Sequence, residues 1–151
     1  MKISRLLAGL ATAAALALPA VAAEDPIAVR QALMSSNGAA GAVTGAILKD
    51  ELAYSPQVGK SVIATMHAVA SAVGDYFPEG SLDPARSEAA PKIWEDPAGF
   101  TAALAKFQEA AAAANKASGR AGPPDKAAFG ALIVPVLDSC KGCHETYRTE
   151  N

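Results

Sequence analysis

Apolar residues recur along most of this chain at steps of three and four, which is the period of an α-helix that packs on one side. The pattern predicts four amphipathic helices: Ile27 to about Leu48, Ser55 to about Val73, Asp96 to a stop at Gly119, and a last helix that ends near Tyr147. The last helix has the most regular apolar stripe, formed by Phe129, Ile133, Val136, Cys140, Cys143 and Tyr147. Four such helices joined mostly by short loops predict an all-α, antiparallel four-helix bundle.

Capping residues and helix breakers mark the ends of these helices. Asp or Ser directly before Pro, at 25–26, 55–56 and 96–97, is the pattern of an N-cap followed by proline at the first helical position. Residues 75–91 are rich in Pro, Gly, Ser and charge, which predicts a long loop between the second and third helices. Pro135 lies inside the fourth helix, where the missing backbone N–H predicts a kink.

The N-terminal segment has a different pattern. Two basic residues precede an apolar run over Leu6–Leu18, and small residues at 21–23 fit the site that a signal peptidase cleaves. The run is shorter than the ~20 apolar residues that a membrane-spanning helix needs. We therefore expect residues 1–23 to be a cleaved signal peptide, and residues 24–151 to be one domain in the periplasm with no membrane span.

Composition and charge limit the classes of function. The 151 residues are 51% hydrophobic and 19% charged, which fits one globular domain and excludes a disordered chain. Without residues 1–23 the chain has eleven basic and fifteen acidic residues, a net charge of −4. Because nucleic-acid binding needs a concentration of positive charge, we expect no nucleic-acid partner.

The most specific chemical signal is Cys140-x-x-Cys143-His144, near the end of the fourth predicted helix. This spacing is typical of covalent haem c attachment, in which two thiols add to the two haem vinyl groups and the adjacent histidine coordinates iron. Cysteines three residues apart share one helix face, so both sulfurs can reach one edge of a flat ring. We expect one covalently attached haem c per chain, with His144 as the proximal axial ligand.

Other uses of the two cysteines fit less well. A disulfide between Cys140 and Cys143 would close only a very small loop within a helix. A thioredoxin-like pair needs a strand-to-helix turn, and no strand precedes this motif. Zinc needs four ligands, and Cys140, Cys143, His144 and the distant His67 are the only thiols and imidazoles in the sequence. A helical binding module in which the cysteines are incidental stays open as a different class.

A haem motif near the C-terminus of a four-helix bundle resembles the class II c-type cytochromes, that is, cytochrome c′ and its low-spin relatives of the cytochrome c-556 kind. The resemblance covers residues 24–151 and rests on Arg30-Gln31-Ala32-Leu33-Met34, Phe77-Pro78-Glu79-Gly80-Ser81, Ile93-Trp94 and Cys140 to Arg148. It implies that Arg30 and Gln31 contact the haem propionates. It also implies that Arg148, one turn after His144, lies over the proximal side, although an arginine there is equally consistent with a solvated helix end.

The residue on the distal side of the iron separates two functions. Met34 follows Arg30 by four residues, and the resemblance places a residue facing the open side of the haem at this position. We expect Met34 to be the distal axial ligand, with Met66 and His67 as alternatives. Met34 is also consistent with an ordinary core methionine.

Three glycines extend the face that Met34 begins. Gly38, Gly41 and Gly45 follow it at helical spacing and leave that face almost without side chains. Because glycine in a helix is unfavourable relative to alanine, the stripe needs a packing reason. The haem plane, a close helix crossing and the seam of a homodimer would each supply one.

Histidine and thioether ligation predicts low-spin iron that stays six-coordinate in both oxidation states. We therefore expect a one-electron carrier that catalyses no bond chemistry and exchanges electrons with redox protein partners in respiratory or photosynthetic electron transfer. The alternative is a five-coordinate cytochrome c′, in which Met34 only shields the iron and nitric oxide or carbon monoxide binds.

Overall fold

The computed structural model describes residues 25–149, so the predicted signal peptide lies outside the described residues. The helices in this range are α1 (Pro26–Leu48), α2 (Pro56–Ala72), α3 (Lys92–Glu95), α4 (Pro97–Ser118) and α5 (Lys126–Tyr147), with a 3₁₀ helix at Val73–Tyr76. The four long helices confirm the predicted ones to within a residue or two. The 3₁₀ helix and α3 were not predicted, because four residues are too few to show a helical period.

Side-chain caps begin all four long helices. Each capping side chain accepts a hydrogen bond from a backbone N–H two or three residues later, and the caps are Asp25, Ser55, Asp96 and Asp125. The first three are the predicted caps, and a proline follows each of them. The α5 helix continues through the exposed Pro135 without interruption.

The long helices pack in the order in which they follow along the chain. Helix α1 lies against α2, α2 against α4, and α4 against α5, whereas α1 and α5 meet over a much shorter stretch. The predicted stripes face the core, and Phe129, Ile133 and Val136 of α5 are 0% exposed. Beyond them along α5, the two cysteines are half-buried.

The connection between the 3₁₀ helix and α3, residues 77–91, crosses from α1 to the end of α5 and is called the strap below. On one side, the side chain of Gln31 donates a hydrogen bond to the backbone oxygen of Arg86. On the other side, Ala89 and Arg148 form an antiparallel bridge, and the backbone N–H of Thr149 donates to Glu88 O at 2.8 Å. The loop predicted at 75–91 therefore joins two helices that have little direct contact.

No helix in residues 25–149 is both long enough and apolar enough to cross a bilayer.

Candidate haem-binding site

A cavity of about 660 Å³ lies where α1, α5 and the strap meet. Ligand pockets in proteins commonly have volumes of roughly 300–1,000 Å³. The predicted haem contacts and the preferred iron ligands line it: Arg30, Gln31 and Met34 from α1, Cys140, Cys143 and His144 from α5, and Arg148 directly after α5. Residues 84–89 of the strap close the cavity on a third side.

The α5 wall presents the two thiols. Cys140 and Cys143 are both free and half-buried, so no disulfide joins them. Burial raises the pKa of both thiols, and hydrogen bonds from Asn37 and Ser139 oppose that rise for Cys140. Both cysteines therefore face the cavity as neutral thiols.

His144 follows directly on the same helix. Desolvation lowers the pKa of its imidazole, the positive charge of Arg148 lowers it further, and the negative charge of Glu88 opposes both. These effects favour the neutral imidazole, which is the form that ligates a metal.

The α1 wall places Met34 at the edge of the cavity, half-buried beside the main core. The alternative ligand Met66 is 1% exposed and belongs to that core, although it also reaches the cavity. His67 does not line the cavity, because its side chain faces α4, where Nδ1 lies 3.4 Å from Nδ2 of Asn115. His67 therefore lies outside this cavity.

Arg30 contacts the strap as well as the cavity, whereas the sequence predicted only a contact with the haem propionates. Its side chain is 3% exposed, and its guanidinium lies over the rings of Phe77 and Trp94, 5.0 and 5.9 Å from their centroids. Its terminal nitrogens donate to Tyr76 O, Ser81 Oγ, Ser81 O and Ser87 Oγ. Only Nε has no protein partner. Arg30 thus anchors the strap and has one donor left for a ligand in the cavity.

Arg148 also holds the strap. Its Nε donates to Glu88 Oε2 at 2.6 Å, and this hydrogen bond holds the pKa of Glu88 below its usual value. Both side chains are about half exposed, so the pair contributes little to stability in water. Arg148 therefore lines the cavity, as the resemblance implies, and is also an exposed residue at the end of α5, as in the alternative interpretation.

The glycine stripe faces open space in the described chain. A Cβ placed on Gly38, Gly41 or Gly45 would meet no atom within 4 Å, so no other helix among residues 25–149 crosses closely there. Gly38 and Gly41 line the cavity, whereas Gly45 does not. Two of the three glycines therefore leave room inside the cavity.

Asn37, strap residues 84–89 and Tyr147 also line the cavity, and none of them was predicted as a site residue. Asn37 could have been found, because it lies three residues after Met34 on the same helix face. Tyr147 was predicted only as core, yet its ring packs edge-to-face on Phe100, which packs in the same way on Phe77, at centroid distances of 5.3 and 4.9 Å. The path of the strap has no sequence signal.

The cavity fits a large group with a polar edge. The buried side-chain atoms that lack a hydrogen-bond partner in residues 25–149 are Arg30 Nε and Asn37 Oδ1, and both residues line this cavity. A ligand there would satisfy atoms that are otherwise costly to bury. No group of three or more His, Cys, Asp or Glu residues that could hold a metal ion by themselves occurs in the described part of the chain.

Comparison with known proteins identifies the family. A family model described as Cytochrome C' matches residues 25–148. The chain is 36% identical over 131 residues to cytochrome c' of Rhodopseudomonas palustris, and the aligned region covers 87% of this chain and 86% of the relative. It is 34% identical over 120 residues to cytochrome c-556 of Agrobacterium tumefaciens, covering 79% and 90%.

The solved structures that resemble this chain carry the same family name. Cytochrome c' from Rhodopseudomonas palustris superposes with a TM-score of 0.74 at 33% identity, covering 84% of this chain and 98% of that chain. Cytochrome c prime from Shewanella frigidimarina gives 0.74 at 28% identity, covering 83% and 95%. The chain therefore belongs to the cytochrome c′ family of class II c-type cytochromes. It is a four-helix-bundle haem protein of electron transport with one covalently attached haem c per chain.

Proposed function

We propose that residues 24–151 form a periplasmic one-electron carrier in which Cys140 and Cys143 hold the haem and His144 and Met34 bind its iron from opposite sides. The observation that supports this most directly is the convergence of Met34 from α1 and the cysteine–histidine motif from α5 on one cavity. These residues are far apart in the sequence, and α1 and α5 have few other contacts. Redox protein partners and export by residues 1–23 belong to the same proposal.

Haem c supplies one-electron oxidation and reduction of its iron. The residues of this chain would bind the haem and line the cavity around it. Thioether bonds from Cys140 and Cys143 would fix one edge of the ring to α5. Arg30, through Nε, together with Gln31 and Arg148, would interact with the propionates or the proximal side. A thioether ligand paired with histidine raises the reduction potential relative to two histidines, which suits a carrier.

A second candidate is a five-coordinate cytochrome c′ that binds nitric oxide or carbon monoxide on the Met34 side. The names of the relatives favour it, since the solved structures described above and the Rhodopseudomonas palustris relative are all called cytochrome c'. Other relatives are called cytochrome c-556, the kind that the sequence resemblance associates with low-spin iron. The space left by Gly38 and Gly41 is consistent with a small ligand on this side.

The visible spectrum of the reduced protein, with and without carbon monoxide, distinguishes the two candidates. We expect sharp, resolved α and β bands that carbon monoxide leaves unchanged, and we expect Met34→Ala to give a broad high-spin spectrum that carbon monoxide alters. Met66→Leu is the matched control and should keep the wild-type spectrum. A high-spin, carbon-monoxide-sensitive wild type would establish the second candidate, and a spectral change in Met66→Leu alone would assign the ligand to Met66.

Oligomeric state is a separate point. The open glycine face is consistent with a homodimer seam on α1, and sedimentation of the haem-loaded protein would measure it.

A further inference from the structure

We propose that Asn37 is the hydrogen-bonding group on the Met34 side of the cavity and that it favours small ligands able to hydrogen-bond over those that cannot. The inference rests on the proposed function only in requiring haem iron within this cavity. It assigns a role to a residue that neither ligation candidate uses.

The position of Asn37 supports this role. It lies three residues after Met34 on α1, so the two side chains share one helix face, and both line the cavity. Its Oδ1 is buried and has no partner. A buried carboxamide oxygen without a partner is unfavourable, so the site is more stable when a ligand or water completes the hydrogen bond.

The surroundings of Asn37 make it distinctive. The neighbouring lining residues on this side are apolar or lack a side chain: Met34, Gly38, Gly41, Met66 and Val73. The polar residues Arg30 and Gln31 donate their hydrogen bonds to the strap, at the other end of the α1 wall. Asn37 thus supplies a polar group to an otherwise apolar surface.

The carboxamide of Asn37 can serve more than one ligand. Its side chain donates a hydrogen bond to the sulfur of Cys140, which will be a thioether, and so a weak acceptor, when haem is attached. Half a turn of the terminal bond exchanges Oδ1 and Nδ2, so the group can present an acceptor or a donor to the cavity. Water and azide can use such a group, whereas carbon monoxide forms only weak hydrogen bonds. Polarity and hydrogen-bond donors near haem iron decide which small ligands bind.

The test uses the haem-loaded Met34→Ala protein, in which the iron is open on this side under both candidate functions. Azide binding to the oxidised form and carbon monoxide binding to the reduced form are measured with and without Asn37→Leu, which keeps the size of the side chain but removes the hydrogen bond. We expect azide to bind roughly fivefold to tenfold more weakly with Asn37→Leu, and carbon monoxide affinity to change less than about twofold. Asn115→Leu, on α4 and away from the cavity, is the matched control and should change neither affinity.

Two outcomes would overturn the inference. Equal weakening of both ligands would mean that Asn37 only fills space, and an unchanged azide affinity would mean that it touches no ligand. A second variant, Asn37→Ala, is read by the infrared C–O stretch of bound carbon monoxide, which should shift if the carboxamide lies near the ligand. Absence of haem from Met34→Ala, measured as the pyridine haemochrome, would refute the haem site and this inference with it. Haem present without ligand selectivity would refute the role of Asn37 alone.

Discussion

The guanidinium of Arg30 donates two hydrogen bonds to Ser81, one to Oγ at 2.9 Å and one to the backbone oxygen at 2.7 Å. Ser81 is itself buried, and its hydroxyl donates to Pro78 O at 2.8 Å. This contact fixes the strap to α1 beside the rings of Phe77 and Trp94. The family motif that begins with Arg30 therefore serves the protein wall of the cavity as well as a ligand inside it.

Arg30→Lys should destabilise the haem-loaded protein by about 2–3 kcal/mol. A lysine has one donor group in place of the planar fork of arginine, so several buried acceptors would lose their partner. Thermal unfolding would measure the loss, with Arg120→Lys as an exposed control that should have almost no effect. A stability equal to that of the wild type would show that the strap does not depend on this anchor.

Gly45→Ala should stabilise the protein by about 1 kcal/mol, because alanine is the better helix former and the added Cβ meets no atom. Gly41→Ala offers the same helix propensity but points its Cβ toward the cavity, so we expect it to alter the haem spectrum as well. Melting temperature and visible spectrum are the measurements. A shift of the sedimentation coefficient toward monomer in Gly45→Ala would instead support a dimer seam.

Pro135→Ala should also stabilise the protein, by about 1 kcal/mol. Proline removes one hydrogen bond from the interior of α5, and the side chain is exposed, so its loss opens no buried space. The gain is limited because proline also restricts the unfolded chain. Melting temperature should rise by about 4 °C. A lower melting temperature would show that the local helix geometry at 135 is needed for packing.

Asp25→Asn should lower stability at neutral pH but not in acid. A hydrogen bond from Arg86 holds the pKa of Asp25 below its usual value of 3.8, so the ion pair stabilises the folded protein above that pH. The contribution is lost as the pH falls through the lowered pKa. Asparagine keeps the helix cap and removes only the charge. The melting temperatures of the two proteins should therefore converge in acid, and a difference that persists there would exclude the ion pair as its cause.

Local signals in the sequence determined the parts of the fold that could be predicted. Asp25, Ser55 and Asp96 cap helices within two or three residues of themselves, so these helix starts were correct. The steps of three and four from Phe129 to Tyr147 likewise predicted which face of α5 is buried.

The strap could not be predicted in the same way. Proline, glycine and serine indicated a loop but not its path, which depends on contacts such as Arg30 with Ser87, more than fifty residues apart. For the same reason the sequence predicted Arg30 only as a propionate contact. Its hydrogen bonds to the strap are visible only in the structure.

The strap also brings both ends of the described chain together. Arg86 pairs with Asp25 at the start of α1, and Glu88, two residues later, binds Thr149 after α5. The first and last described residues therefore both lie beside strap residues that line the cavity. Attaching the protein through a side chain at position 25 or 149 would orient this edge toward the support, which is a useful geometry for direct contact with an electrode.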